Sequence, residues 1–198
     1  MGSVGAKRAE VRRNNVKKLY IKGAERIIRY EGINALNIRR IAADVGYNSA
    51  TLYSYFEDID ELTLFATFKF RKELLADYSR KVTSDMNALE QYIKMYDVYC
   101  DHAFKYPEIY FNMYFGKYSY KLDAVLSEYY RIFPEEFAPQ TELICKFVTH
   151  ADVYEGERTG LRLLADAGFI REENIDMVAD MVARVHAMYM HDLRICPQ

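Results

Sequence analysis

Apolar residues recur at steps of three and four almost throughout the chain, and no segment alternates apolar with polar residues as a half-buried strand would. The pattern predicts an all-α fold, with helices over 10–31, 38–45, 49–55, 58–82, 86–105, 107–116, 118–133, 140–167 and 172–194. Pro107, Pro134, Pro139 and Pro197 punctuate these segments. The sharpest local pattern lies between Asn37 and Phe56. Ile38, Ile41, Ala42 and Val45 form one stripe; Asn37 stands where an N-cap belongs, and Gly46 where a helix needs a left-handed residue to stop. Asn48 can cap a second helix, in which Leu52 and Phe56 face inward. Ser49, Ala50, Thr51, Tyr53, Ser54 and Tyr55 are left to the outside, with no Asp or Glu before Glu57. A surface that approaches phosphates should lack carboxylates. This helix, turn and polar second helix make the pattern of a helix-turn-helix DNA reader. An ordinary helical hairpin with a small polar surface is the plainer alternative.

Charge favours the reader. Residues 1–56 carry eleven Lys and Arg against four carboxylates, a net +7 in a chain of net −2, which leaves −9 over residues 57–198. A basic end on an acidic body is the footprint of a nucleic-acid module joined to something else.

The segment Gly32–Leu62 resembles the N-terminal domain of TetR-family transcriptional regulators. The resemblance rests on Gly32, Ile41-Ala42, Val45-Gly46-Tyr47, Thr51-Leu52-Tyr53-Ser54-Tyr55-Phe56 and Asp60-Glu61-Leu62. It implies an N-terminal three-helix helix-turn-helix domain, residues 1–57, joined by a long helix to a helical ligand-binding and dimerisation domain, residues 58–198. This chain has Leu36 and Asn37 where the family usually has Thr followed by Ser or Thr, Ala50 where it usually has Gly, and Ile59 where it often has a phosphate-contacting Lys. The last change either lowers affinity or passes the phosphate to Lys7, Arg8, Arg12 and Arg13.

The body has a signal of its own. Ten Tyr and four Phe fall within residues 92–133, a third of the positions. A core so rich in hydroxyls would need every one satisfied, whereas an aromatic cavity with a few polar tips would not. Half-buried surface tyrosines are the alternative for any single ring. The pocket candidates are Tyr96, Tyr99, Tyr110, Met113, Tyr114 and Tyr118, with His102 and His150 as polar contacts. Met and Phe nearby suit a planar or hydrophobic ligand, and the acidic body slightly favours a neutral or cationic one. Toward the C-terminus, Ile175, Val178, Val182, Val185 and Tyr189 form a stripe that Met181 and Met188 widen, and Phe147, Ala151, Tyr154, Leu161 and Leu164 form another. In TetR-like proteins the last two helices meet a twofold mate. Phe147, Ala151, Tyr154, Val178, Val182, Val185 and Tyr189 are therefore candidates for a homodimer interface, although both stripes could equally face the monomer's own core.

The expected partners are double-stranded DNA with a palindromic operator, a small-molecule effector and a second copy of the chain. Ser49, Ala50 and Tyr53 are candidates for base edges, with Arg39 reaching from the preceding helix; Asn48, Thr51 and Tyr55 are candidates for phosphates. Repression is the family default. No metal-ligand spacing, nucleophile elbow or phosphate loop is visible, so neither an enzyme nor a cofactor is expected. Widely spaced Cys100, Cys145 and Cys196, the absence of an 18-residue apolar run, and a start without an apolar signal region point to the cytoplasm and away from a membrane. A helical interaction module with a decayed DNA reader is the other reading left open.

Overall fold

Helix follows apolar spacing along the chain in the computed structural model, which describes residues 2–136, 144–145 and 152–195. The elements are α1 (Gly2–Glu31), α2 (Ile38–Val45), α3 (Ser49–Leu52), α4 (Ile59–Lys81), α5 (Ala88–Lys105), α6 (Pro107–Phe115), α7 (Leu122–Ile132), α8 (Val153–Asp166) and α9 (Ile175–Ile195). Single 3-10 turns stand at Ile33–Ala35, Ser119–Lys121, Pro134–Glu136 and Glu172–Asn174, and there is no strand among the described residues. The all-α expectation holds. Several boundaries differ from the periodicity. The helix expected over 140–167 is broken at Asp152, an extended N-cap from which α8 starts at Val153, and the one expected over 172–194 opens as a 3-10 turn and becomes α-helical at Ile175. α1 begins at Gly2 rather than residue 10. The expected helix over 118–133 opens as a 3-10 turn and becomes α-helical only at Leu122. α3 ends at Leu52 instead of residue 55, because Ser54 N and Tyr55 N donate to Thr51 O and Leu52 O at 3.1 and 2.9 Å, three residues back rather than four.

The chain divides into two compact units. The first comprises Met1–Lys69 and Ala124–Phe137. Its core is built by Tyr20, Ala24 and Ile27 of α1, Ile41 and Ala42 of α2, Leu52, Phe56, and Leu62 and Phe65 of α4, all buried. Phe56 stands edge-on to Tyr20 and Phe65, with ring centroids 6.2 and 5.6 Å away. Asp58 caps α4, its Oδ1 accepting from Asp60 N at 2.9 Å and Glu61 N at 3.0 Å. Lys17 and Glu136 are charged residues buried here. Lys17 is only 4% exposed; its Nζ lies 2.6 Å from Glu128 Oε1 and 5.0 Å from each of the Phe56 and Phe65 ring centroids.

The second unit comprises Phe70–Asp123 and Ala138–Gln198. Asn87 and Glu90 start α5 with a reciprocal capping box, and Asp152 caps α8 by accepting from Glu155 N at 2.9 Å. Leu161 and Leu164 of α8 and Ile175 and Ala179 of α9 form a buried cluster against which Leu89 and Tyr92 of α5 pack.

The Lys17–Glu128 pair gives a stability test. Removing the carboxylate leaves a buried ammonium without its counter-charge, so Glu128→Gln should lower the unfolding free energy by about 2 kcal/mol in urea titrations. A change below about 0.5 kcal/mol would show that Lys17 finds compensation elsewhere.

Candidate nucleic-acid interface and ligand pocket

The reader is built by two caps and one left-handed residue. Asn37 Oδ1 accepts from Arg40 N at 2.8 Å and starts α2. Gly46, at φ 78°, ends it, with Tyr47 N donating to Ala42 O at 2.9 Å and Gly46 N to Ala43 O at 3.4 Å. These two bonds are the Schellman closure, and they need a positive φ that a side chain would strain. Asn48 restarts the helix two residues later, its Oδ1 accepting from Thr51 N at 2.9 Å and Thr51 Oγ1 at 3.0 Å.

The candidate DNA contacts then separate by exposure. Arg39, Asn48, Ala50 and Tyr53 are exposed, and Ser49, Thr51 and Tyr55 are half-buried. Tyr53 is 58% exposed, the largest open apolar surface on this helix and its turn. Thr51 donates its hydroxyl to the Asn48 cap. Tyr55 packs on Tyr20, with centroids 6.3 Å apart, and lies under the Arg13 guanidinium at 5.5 Å. Arg13 Nη1 also donates to Ser54 O at 3.1 Å, so α1 clamps the turn that follows α3. Sequence reasoning missed this clamp, and it missed Tyr47, which is 39% exposed beside α3 with its ring 5.9 Å from Tyr20. An aromatic residue between two capped helices was the available signal. Ile59, where the family often has Lys, is half-buried at the start of α4.

The +7 of residues 1–56 overstates the outward charge. Arg26, Arg29 and Arg40 pair with Asp44, Glu25 and Glu31 of the same segment. Lys17 and Lys18 draw Glu128 and Glu135 from outside it. Lys7, Arg8, Arg12 and Arg39 remain exposed.

Residues 21–66 match the model for bacterial regulatory proteins of the tetR family. The chain carries a TetR-family DNA-binding domain. The matched stretch holds α2, the Gly46 turn, α3 and the start of α4, so its function is that of a DNA-binding transcriptional regulator. No curated protein and no solved structure matches the chain at a significant level.

In the second unit, rings meet around Tyr99. Tyr110, Tyr114 and His186 stand 5.6, 6.2 and 4.7 Å from it, and Phe115 stands 5.6 Å from His186. The Tyr99 hydroxyl and His186 Nε2 are buried there without a hydrogen-bond partner, as is Asn112 Oδ1 on α6. A cleft of about 380 Å³ adjoins these rings, walled by Tyr114, Phe115, Tyr120, Val153, Tyr154 and Ala183 among others; pockets for small ligands are of this size. Of the predicted pocket residues, Tyr99, Tyr110 and Tyr114 come together, and Met113 is buried beside them on α6. Tyr96 instead joins Tyr92 in donating to the buried Glu157 carboxylate. His102 lies 3.1 Å from Asp77 Oδ2. Tyr118 is buried next to Lys117 and Lys121, and His150 lies outside the described residues. His186 was absent from the expected pocket, because nothing in the spacing of a helix read as an interface marked it as inward.

Among the dimer candidates, Phe147 and Ala151 lie outside the described residues. Tyr154 donates to Asp180 Oδ1 at 2.8 Å, Val178 packs on the α8–α9 cluster, and Val182 is half-buried. Val185 and Tyr189 are exposed, in line with Met177, Met181 and Met188.

Burial drives the His186 pKa down from 6.5 to about 4. Its folded pKa lies below its unfolded value, so its neutral form carries full stability above pH 6.5, and that contribution is lost as pH falls toward 4. Between those pH values the wild-type chain should lose up to about 3 kcal/mol more than His186→Gln. Parallel pH profiles of the two chains in denaturant titrations would remove His186 from this account.

Proposed function

We propose that the chain is a ligand-responsive repressor, active in the cytoplasm, that binds a palindromic operator as a homodimer and leaves it when a small hydrophobic or aromatic molecule occupies the second unit. The observation that carries this reading is the carboxylate-free face of α3, locked between the Gly46 turn and the Arg13 clamp within the matched domain. Ser49, Ala50 and Tyr53 would meet base edges or thymine methyls, with Arg39 beside them. Asn48, through its free amide nitrogen, and Thr51, Tyr55, Lys7, Arg8 and Arg12 would hold phosphates.

The dimer reading is supported by α9. One face, Ile175, Ala179, Ala183 and Met190, is buried within the unit, while Met177, Met181, Val185, Met188 and Tyr189 leave an apolar stripe in solvent. Monomers rarely expose such a stripe without a partner. A second copy of the same helix is self-complementary to it under a twofold axis, which is also the symmetry of a palindromic site. α4 supplies residues to both units, so a ligand that prefers one position of its Phe70–Lys81 half biases the reader, and DNA must weaken the ligand by the same factor. The alternative, an interaction module with a decayed reader, is favoured by one observation: Ile59, Asp60 and Glu61 give the start of α4 no cation.

Operator selection from a random DNA pool tests the reading. The wild-type chain should enrich a palindrome. Tyr53→Ala should bind that palindrome at least about tenfold more weakly while sedimenting as the same dimer. The double substitution Val185→Glu with Met188→Glu should sediment as a monomer and lose the full palindrome. Enrichment of no sequence at all would move the interaction-module reading to first place.

A further inference from the structure

The outward side of the reader is short of the groups that name bases by hydrogen bonds. In the major groove guanine is read by a bidentate Arg or Lys, adenine by a bidentate Asn or Gln, cytosine by a carboxylate, and thymine by apolar contact with its methyl group. From Gly46 to Phe56 the chain has no Arg, Lys, Asp, Glu or Gln. Its one carboxamide is committed. Asn48 Oδ1 accepts from Thr51 N at 2.9 Å and from Thr51 Oγ1 at 3.0 Å, so Asn48 keeps only its amide nitrogen and cannot offer adenine a donor and an acceptor together. The second of these bonds also uses the Thr51 hydroxyl proton. Ser49 and Ser54 carry hydroxyls that turn to suit either a donor or an acceptor, and so separate bases poorly.

What the surface does present is apolar. Ala50 and Tyr53 stand three residues apart on one turn, on the same face, and both are exposed. Tyr47 flanks them from the preceding turn, exposed on one side and held on the other by the fully buried Tyr20, with ring centroids 5.9 Å apart. A methyl group and two phenol rings lie open on a surface with no carboxylate to repel phosphates, and they match the one base feature in the groove that is itself apolar. We infer that this chain reads its operator chiefly through thymine methyl groups, so that the base pairs facing α3 are A·T, with the methyls seated against Ala50, Tyr53 and Tyr47. This rests on the DNA-reading proposal above and narrows it from base edges in general to one chemical group. A guanine contact falls to Arg39, the exposed cation of α2, since its neighbour Arg40 pairs with Glu31.

The test exchanges thymine for deoxyuridine, which lacks only the 5-methyl group and keeps every hydrogen-bonding edge. The full chain first selects its palindrome from a random DNA pool. The palindrome is then made with thymine or with deoxyuridine throughout, and binding is read by fluorescence anisotropy at one salt concentration. Each methyl buried against these side chains is worth about fourfold, so the deoxyuridine palindrome, with several lost, should bind at least about tenfold more weakly. An unrelated duplex should not respond to the exchange. Tyr53→Phe should keep the methyl dependence and Tyr53→Ala should lessen it, both with the melting temperature of the wild-type chain. Equal affinity for the two palindromes, an equal loss on the unrelated duplex, or a selected half-site of G·C pairs would overturn the methyl reading and leave DNA recognition standing. A methyl dependence unchanged in Tyr53→Ala would overturn its assignment to these side chains. Enrichment of no sequence overturns the inference together with the DNA-reading proposal on which it rests.

Discussion

The reader depends on one backbone constraint, the left-handed Gly46 that ends α2. With its φ at 78°, Tyr47 N closes on Ala42 O and the chain turns early enough for Asn48 to cap α3 two residues later. α3 is four residues long and could not persist alone, since a single turn fixes many dihedrals for very few bonds. Tertiary contacts hold it: Leu52 and Phe56 are buried below it, Phe56 stands edge-on to Tyr20 and Phe65, and Arg13 takes the Ser54 carbonyl behind it. The polar face is therefore presented by a rigid turn rather than by helix propensity, and rigidity is what a side chain needs to discriminate between base edges.

Charge plays different parts in the two units. In the first, Lys17, Lys18, Arg26, Arg29 and Arg40 of α1 and α2 are paired with carboxylates, and exposed cations lie near the start of α1 and on α2. That arrangement attracts phosphates without making the whole unit sticky. In the second, among the described residues, Tyr99, Asn112 and His186 each bury a polar atom without a hydrogen-bond partner. Natural cores satisfy such groups, and the unmatched Tyr99 and His186 atoms beside a cleft are what the proposed ligand site rests on.

Much of this was legible in the sequence because it is local. The caps at Asn37 and Asn48, the stop at Gly46 and the inward Leu52 and Phe56 all follow from residues within one or two turns, and the structure has each of them. What was illegible is long-range. Lys17 reads as a surface cation until Glu128, 111 residues away, is brought to it. Arg71 sits in a run whose apolar neighbours face every direction, so periodicity could not say that it turns inward. On α9 the stripe was visible but its division was not: Val178 packs on the α8–α9 cluster while Val185, seven residues on, faces solvent, because Ala179 and Ala183, small and easily overlooked in a pattern of larger residues, mark the buried face. Tyr96 was read with the pocket tyrosines, but its hydroxyl goes to Glu157, a carboxylate on α8 that no local pattern connects to it.

The central claim is that the outward face of α3 reads DNA. It is tested most directly by measuring the affinity of the full chain for the DNA flanking its own gene at two salt concentrations, against an unrelated duplex of equal length. The account predicts tight, sequence-selective binding whose logarithm falls steeply with the logarithm of salt, as it must when several phosphates are held. Weak binding with no preference between the two duplexes would contradict it.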